Sequence, residues 1–113
     1  MKPAGYFLIV AAAGLALSGI ATLGSSVPAH AATVQITMRD LEIAPAAADA
    51  KVGDTIEWVN DDIFVHSATA RNGDWDVTLP PNKTVRLVLK KAGAIDYYCR
   101  FHPNMKARLT ISP

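Results

Sequence analysis

The stretch "YYCRFHPNM" (residues 97–105) sets Cys99, His102 and Met105 three residues apart, as C-x2-H-x2-M. A thiolate, an imidazole and a thioether are all good ligands for soft or borderline metals. A second histidine, His66 in "VHSATA", lies 33 residues before the cysteine. Taken singly, each has an ordinary reading. A lone cysteine is among the most buried of residues, a methionine is usually packing, and a histidine is usually just part of its strand. Taken together, two imidazoles, one thiolate and one thioether are the donor set of a blue-copper electron-transfer centre. Zinc is the main competitor, since it binds cysteine and histidine well. The methionine in fourth place favours copper over zinc.

The compartment bears on the cysteine. Met1-Lys2 precedes "AGYFLIVAAAGLALSGIATLG" (residues 4–24), which carries no charge, and "SSVPAHAA" follows with small residues at Ala29 and Ala31. A basic start, an apolar stretch and an A-x-A site describe a secretory signal, with cleavage expected after Ala31. The alternative is an uncleaved anchor, because about 20 apolar residues are enough to span a bilayer. The expected organisation is therefore a signal segment at 1–31, which takes His30 with it, and one domain at 32–113. Export leads to an oxidising compartment, where cysteines normally occur in pairs. Cys99 is the only cysteine of the chain. It is accordingly an inert buried thiol, an intermolecular bridge or a metal ligand.

Without Lys2, ten Lys and Arg side chains balance ten Asp and Glu. A neutral chain lacks the basic footprint of a nucleic-acid binder. The charges are nevertheless polarised. Residues 33–82 hold three basic and nine acidic groups, and residues 83–113 hold seven basic and one acidic. Pairing of strands from the two halves would mix them.

The elements that must position the ligands are strands. "TVQITM" alternates Val34, Ile36 and Met38 with polar residues, the period of a half-buried strand. A short strand is expected at Leu41–Ile43, broken near Pro45, and the alanine-rich piece 44–50 has room for one helical turn. A Gly53-Asp54 turn leads into a strand at 55–60, with Ile56 and Trp58 on one face. "DDIF" reads as loop, "VHSATA" as extended, and "RNGD" and Pro80-Pro81-Asn82 as turns. Further strands are expected at 84–89, 94–99 and 107–111. About seven short strands and no amphipathic helix of useful length predict an all-β sandwich. Its core is expected to comprise Val34, Ile36, Ile56, Trp58, Leu87, Leu89, Tyr97, Leu109 and Ile111.

"KVGDTIEWVNDD…VHS", "AGAIDYYCRFHPNM" and "KARLTI" resemble the small blue-copper proteins of the cupredoxin family, and the loop spacing is amicyanin-like, with plastocyanin and pseudoazurin as relatives. The likeness runs from about Val34 to Ile111. It implies a Greek-key sandwich with one type 1 copper ion at one end. His66, Cys99 and His102 would form the equatorial plane, with Met105 as a weak axial ligand. It also implies that electrons pass mainly through the edge of His102, that Pro103 helps form an apolar docking rim, and that Tyr98 lies near a second electron route. One departure stands next to a ligand. Family members often carry asparagine after the first histidine, where it ties the two ligand-bearing segments together; this chain has Ser67. The chain also lacks the longer amino-terminal extension of typical amicyanins, and its segment between His66 and Cys99 is short.

The expected function is a monomeric periplasmic electron carrier, not an enzyme, cycling between Cu(II) and Cu(I). Its partners would be transient redox proteins: a dehydrogenase, a reductase or a cytochrome. A multicopper oxidase would need histidines beyond His66 and His102. The alternative is a periplasmic copper carrier or copper-resistance protein that hands over the metal itself. A structural sandwich with a vestigial site comes third. Arg100, Lys106 and Arg108 flank the ligand loop and either steer an acidic partner or form an ordinary solvated face.

Overall fold

The computed structural model describes residues 31–113 continuously, together with Gly14 and Gly19. The expected signal segment thus falls outside the described residues almost entirely. Among the described residues, no helix is long and apolar enough to cross a membrane.

The described residues form nine strands: β1 Thr33–Arg39, β2 Glu42–Ala44, β3 Ala47–Lys51, β4 Thr55–Asn60, β5 His66–Ala70, β6 Asp76–Leu79, β7 Thr84–Val88, β8 Gly93–Tyr98 and β9 Lys106–Ser112. They make two facing sheets, one ordered β2-β1-β4-β7 and the other β3-β9-β8-β5-β6. Both sheets are mixed, because β1 runs parallel to β4 and β3 parallel to β9. This is the expected all-β, cupredoxin-like sandwich.

The two strands beyond the expected seven are β3 and β6, the second folded back against β5 by the turn at 71–74. The expected helical turn is a strand instead: β3 lays Ala48 and Ala50 alongside Leu109 and Ile111 of β9. Ladder hydrogen bonds to β9 satisfy this backbone, which overrides the helix preference of alanine. Pro45, which follows β2, has no N–H to extend the ladder, and the chain crosses there to the second sheet.

Alternation places the core where expected. Ile36, Ile56, Trp58, Leu89, Tyr97, Leu109 and Ile111 are buried, while Val34 and Leu87 pack partly buried against them. Met38, Ala68, Leu79, Ile95, Cys99 and Met105 are buried in the same cluster. At its centre Trp58 meets Trp75 (centroids 5.2 Å apart) and Tyr97 (5.9 Å). Its indole N–H donates to the Tyr97 hydroxyl at 3.4 Å. Burial pushes the Tyr97 phenol up to about 12, so it stays protonated.

The two oppositely charged halves do pair. Glu57 of β4 faces Arg86 of β7 in register and accepts its Nε–H at 2.8 Å. Arg100 reaches Asp76 across the second sheet at 2.9 Å. Arg108 also holds Asp96, its register partner on β8, at 2.8 Å. Two of the three cations flanking the ligand loop are therefore engaged within the sheet, which favours the solvated-face reading of that cluster.

Asp54 fastens the start of the domain. Its carboxylate accepts the backbone N–H groups of Ala32 and Lys51, both at 2.9 Å. These two bonds hold its pKa below the ordinary 3.8. Asp76 and Asp96 are lowered too, the first mainly by the Thr69 hydroxyl and then Arg100, the second mainly by Arg108. A carboxylate with a depressed folded-state pKa adds stability that is present above its unfolded value and lost as pH falls through the folded one. The thermal midpoint is therefore expected to hold steady above pH 5 and fall as pH drops below about 4. In Asp54→Asn the fall should be shallower, starting from a lower midpoint at pH 7. Calorimetry across this range checks both.

Candidate metal centre

The four candidate ligands reach one end of the sandwich on two segments. His66 opens β5, and the loop joining β8 to β9 carries Cys99, His102 and Met105. That loop is wound tightly on itself. The Cys99 amide donates to the Met105 carbonyl (3.1 Å), the His102 amide to the Cys99 carbonyl (3.3 Å) and the Met105 amide to the His102 carbonyl (2.9 Å). Each of the loop's three ligand residues is thus bonded by backbone to another, and the three-residue spacing fits successive turns of one coil.

The ring nitrogens and the sulfur converge. Cys99 Sγ lies 3.7 Å from His66 Nδ1 and 3.8 Å from His102 Nδ1. One donor atom each from His66, Cys99 and His102 falls within 4.8 Å of the others. Metal–imidazole and metal–thiolate bonds of about 2.0 and 2.3 Å, splayed by about 120°, set sulfur and nitrogen about 3.7 Å apart, so the cluster has the dimensions of a trigonal metal cage. His66 and Cys99 are fully buried, Met105 is 2% exposed, and His102 alone of the four is partly open to solvent.

The second nitrogen of each histidine decides what the first can do. His66 Nε2 lies 2.9 Å from Asp62 Oδ2. An ionised carboxylate only accepts, so Nε2 carries the proton and Nδ1 turns its lone pair towards the sulfur. The His66 bond is also the main reason that the Asp62 carboxyl lies below its ordinary value, and the amides of Leu41 and Ile63 lower it further. Leu41 sits at φ +61°, next to Asp40 at +53°, in the two-residue turn between β1 and β2. A left-handed leucine is sterically costly. Here the conformation brings the Leu41 amide near the carboxylate that orients a candidate ligand.

Ser67 performs the tie that asparagine supplies in many family members. Its amide donates to Cys99 Sγ at 3.4 Å, and its hydroxyl accepts the Arg100 amide at 2.7 Å. One residue thereby joins the His66 strand to the cysteine loop.

Sequence reasoning did not assign a role to Asp62 or Asn60. Asp62 sits four residues before His66, and that spacing in a loop was the available signal. The Asn60 amide, at the end of β4, donates to the carbonyls of Phe64 and Leu79 at 2.8 and 3.0 Å and lies 3.2 Å from that of Pro80. It thus pins the 61–65 loop to the end of β6. Tyr98 is half-buried, and the Arg71 guanidinium lies 4.3 Å over its ring. Next to His102 stand the exposed apolar side chains of Phe64 (49%) and Phe101 (44%), with Pro103 also exposed; Ile63, which precedes Phe64 in the 61–65 loop, is 76% exposed. Phe64 meets the His102 ring edge-on at 5.9 Å.

Comparison with known proteins agrees with this geometry. Residues 7–111 match the family described as Cupredoxin-like domain. The chain is 32% identical over 91 residues to the methylamine utilization protein MauL of Methylorubrum extorquens, covering 77% of this chain and 80% of that one. Among solved structures, amicyanin from Paracoccus versutus superposes with a TM-score of 0.62 at 24% identity, over 77% of this chain and 86% of that one. A reduced amicyanin variant superposes with a TM-score of 0.62 at 22% identity, over 71% and 82%. The donor set and its spacing are compatible with one type 1 copper ion. Its fold is that of the amicyanins, and the chain belongs to the cupredoxin-like family.

Proposed function

We propose that His66, Cys99, His102 and Met105 hold one copper ion and that the protein carries single electrons between redox partners in the periplasm. The observation that carries this reading is the convergence of the Cys99 sulfur on two imidazole nitrogens, 3.7 and 3.8 Å away, from separate segments. Bound copper supplies a one-electron couple between Cu(II) and Cu(I). The chain supplies the rest. Asp62 fixes the His66 tautomer. Ser67 and the coiled loop hold the sulfur in place, and the sheets keep the donors from moving apart when the charge changes. Burial of three donors excludes water, while His102 leaves one edge of the cluster near solvent.

The apolar residues around His102 make a docking face for a transient partner, with a contact of roughly 1,200 Å² or less suited to rapid release. A dehydrogenase, reductase or cytochrome fits that role. The name of the relative in methylamine utilization makes a dehydrogenase system of that kind the first to try. Domain 32–113 is the working unit. Cleavage after Ala31 would give Ala32 an α-ammonium group 2.9 Å from Asp54, and an intact mass beginning at Ala32 in a periplasmic extract checks this.

A metal carrier using the same ligands would hand copper over through further soft donors at the surface. Met38, the other methionine of residues 32–113, lies in the core at 0% exposure. Electron carriage and metal delivery separate in one experiment. The copper-loaded protein is expected to accept and release one electron per copper over repeated cycles while a competing chelator takes none of the metal. Loss of copper to the chelator on reduction would favour delivery.

A further inference from the structure

The ladder between β5, which opens on His66, and β8, which leads into Cys99, stops short of the ligands. β5 and β8 pair only at Thr69↔Tyr98 and Ala70↔Tyr97. Carried two residues further, the same antiparallel register would set Ser67 opposite Arg100. No ladder exists there; the Arg100 amide donates to the Ser67 hydroxyl instead, at 2.7 Å. A hydroxyl can rotate, so something must turn its lone pair towards that amide.

The surface of the second sheet supplies it. Ser67 Oγ lies 2.9 Å from Thr69 Oγ1. Thr69 Oγ1 lies 2.8 Å from Asp76 Oδ1 and donates to it. Arg100 Nε donates to the same carboxylate oxygen at 2.9 Å, and Arg100 Nη2 donates to Thr78 Oγ1 at 3.1 Å. Each hydroxyl has one proton, and an ionised carboxylate has none. Thr69 spends its proton on Asp76, so the Ser67–Thr69 bond takes its proton from Ser67. A lone pair of Ser67 then faces the Arg100 amide. The bonds close into a ring, because Arg100 donates at both ends, by its amide to Ser67 and by its guanidinium to Asp76, where both paths finish.

We propose that the ring Ser67–Thr69–Asp76–Arg100 is a positioning device for the ligand loop: Asp76 and Thr69, which touch no candidate ligand, aim the Ser67 hydroxyl and so hold the Cys99 end of the loop against the His66 strand. The consequence for copper rests on the function proposed above; the geometry does not. A charged residue on the edge strand β6 thus governs how stiffly the buried sulfur is held. Without the Thr69 hydroxyl, the Ser67 proton loses its acceptor and the serine can rotate away from the amide.

Amide hydrogen exchange on the metal-free protein tests this. The Arg100 amide is followed by NMR relative to the amides of Trp58 and Leu109, in wild type, Thr69→Val, Thr69→Ser and Asp76→Ala. Thr69→Val and Asp76→Ala are expected to speed Arg100 exchange about tenfold relative to the references, the loss of about one hydrogen bond. Thr69→Ser should restore the wild-type ratio, since it keeps the hydroxyl. An unchanged ratio in both disrupting variants, or an equal rise at all three amides, would overturn the proposal. Copper addition to the same samples separates the two ideas. If the ratio changes as expected but no copper binds, the metal reading fails and the ring stands. If copper binds but the ratio is unchanged, the ring fails and the metal reading stands.

Discussion

Copper is expected to raise the thermal midpoint of the wild-type protein by about 15–30 °C and that of Cys99→Ser by only a few degrees. A ligand that binds only the folded chain contributes about 4 kcal/mol at a free concentration of a thousand times its Kd. In a domain of this size each kcal/mol moves the midpoint by about 4–8 °C. The substitution itself is mild. The serine oxygen would still sit beside the Ser67 amide, which now donates to the sulfur at 3.4 Å. Metal-free stability should therefore change by about 1 kcal/mol or less. Thermal denaturation of both proteins with and without Cu(II) provides the comparison. An equal copper shift in wild type and Cys99→Ser would mean that the sulfur is not a ligand.

Trp58→Ala should be the most damaging single change in the core, costing about 3–5 kcal/mol. The side chain is fully buried and is in ring contact with Trp75 and Tyr97. Alanine would leave a cavity between the sheets and remove the donor to the Tyr97 hydroxyl. The midpoint should fall by about 12 °C or more. Trp58→Phe keeps most of the packing and loses the indole donor, for about 1–2 kcal/mol. Tyr97, on β8, is two residues before Cys99, so Trp58→Ala should also weaken copper binding, and Trp58→Phe much less. Denaturant titrations of the two variants set the scale. A loss in Trp58→Ala no larger than in Trp58→Phe would contradict this account of the core.

How much the sequence reveals depends on how local each interaction is. Cys99, His102 and Met105 belong to one coil closed by its own backbone bonds, so their spacing alone was informative. Strands such as β1, β4 and β9 declare themselves by alternation, because one face of each is buried. Residues 44–51 misled because alanine runs favour helix, whereas pairing with β9 decides the outcome, and β9 lies some sixty residues away. Trp75 directly follows the 71–74 turn and packs with Trp58 and Tyr97 only once the two sheets face each other. Asp62 looks like any loop acid until the turn at Leu41 and the 61–65 loop close around it. The Ser67 ring is not legible because its members come from two strands and the ligand loop, and single hydroxyls carry no pattern. Serine in the asparagine position suggested a missing tie; the structure shows a tie built from a hydroxyl and its neighbours.

Titration of the full chain with Cu(II), followed by visible absorption, bears most directly on the metal centre. The account predicts an intense blue thiolate-to-copper band that grows to saturation at one copper per chain and does not form in Cys99→Ser. A colourless adduct, or a band that persists without the sulfur, would contradict it.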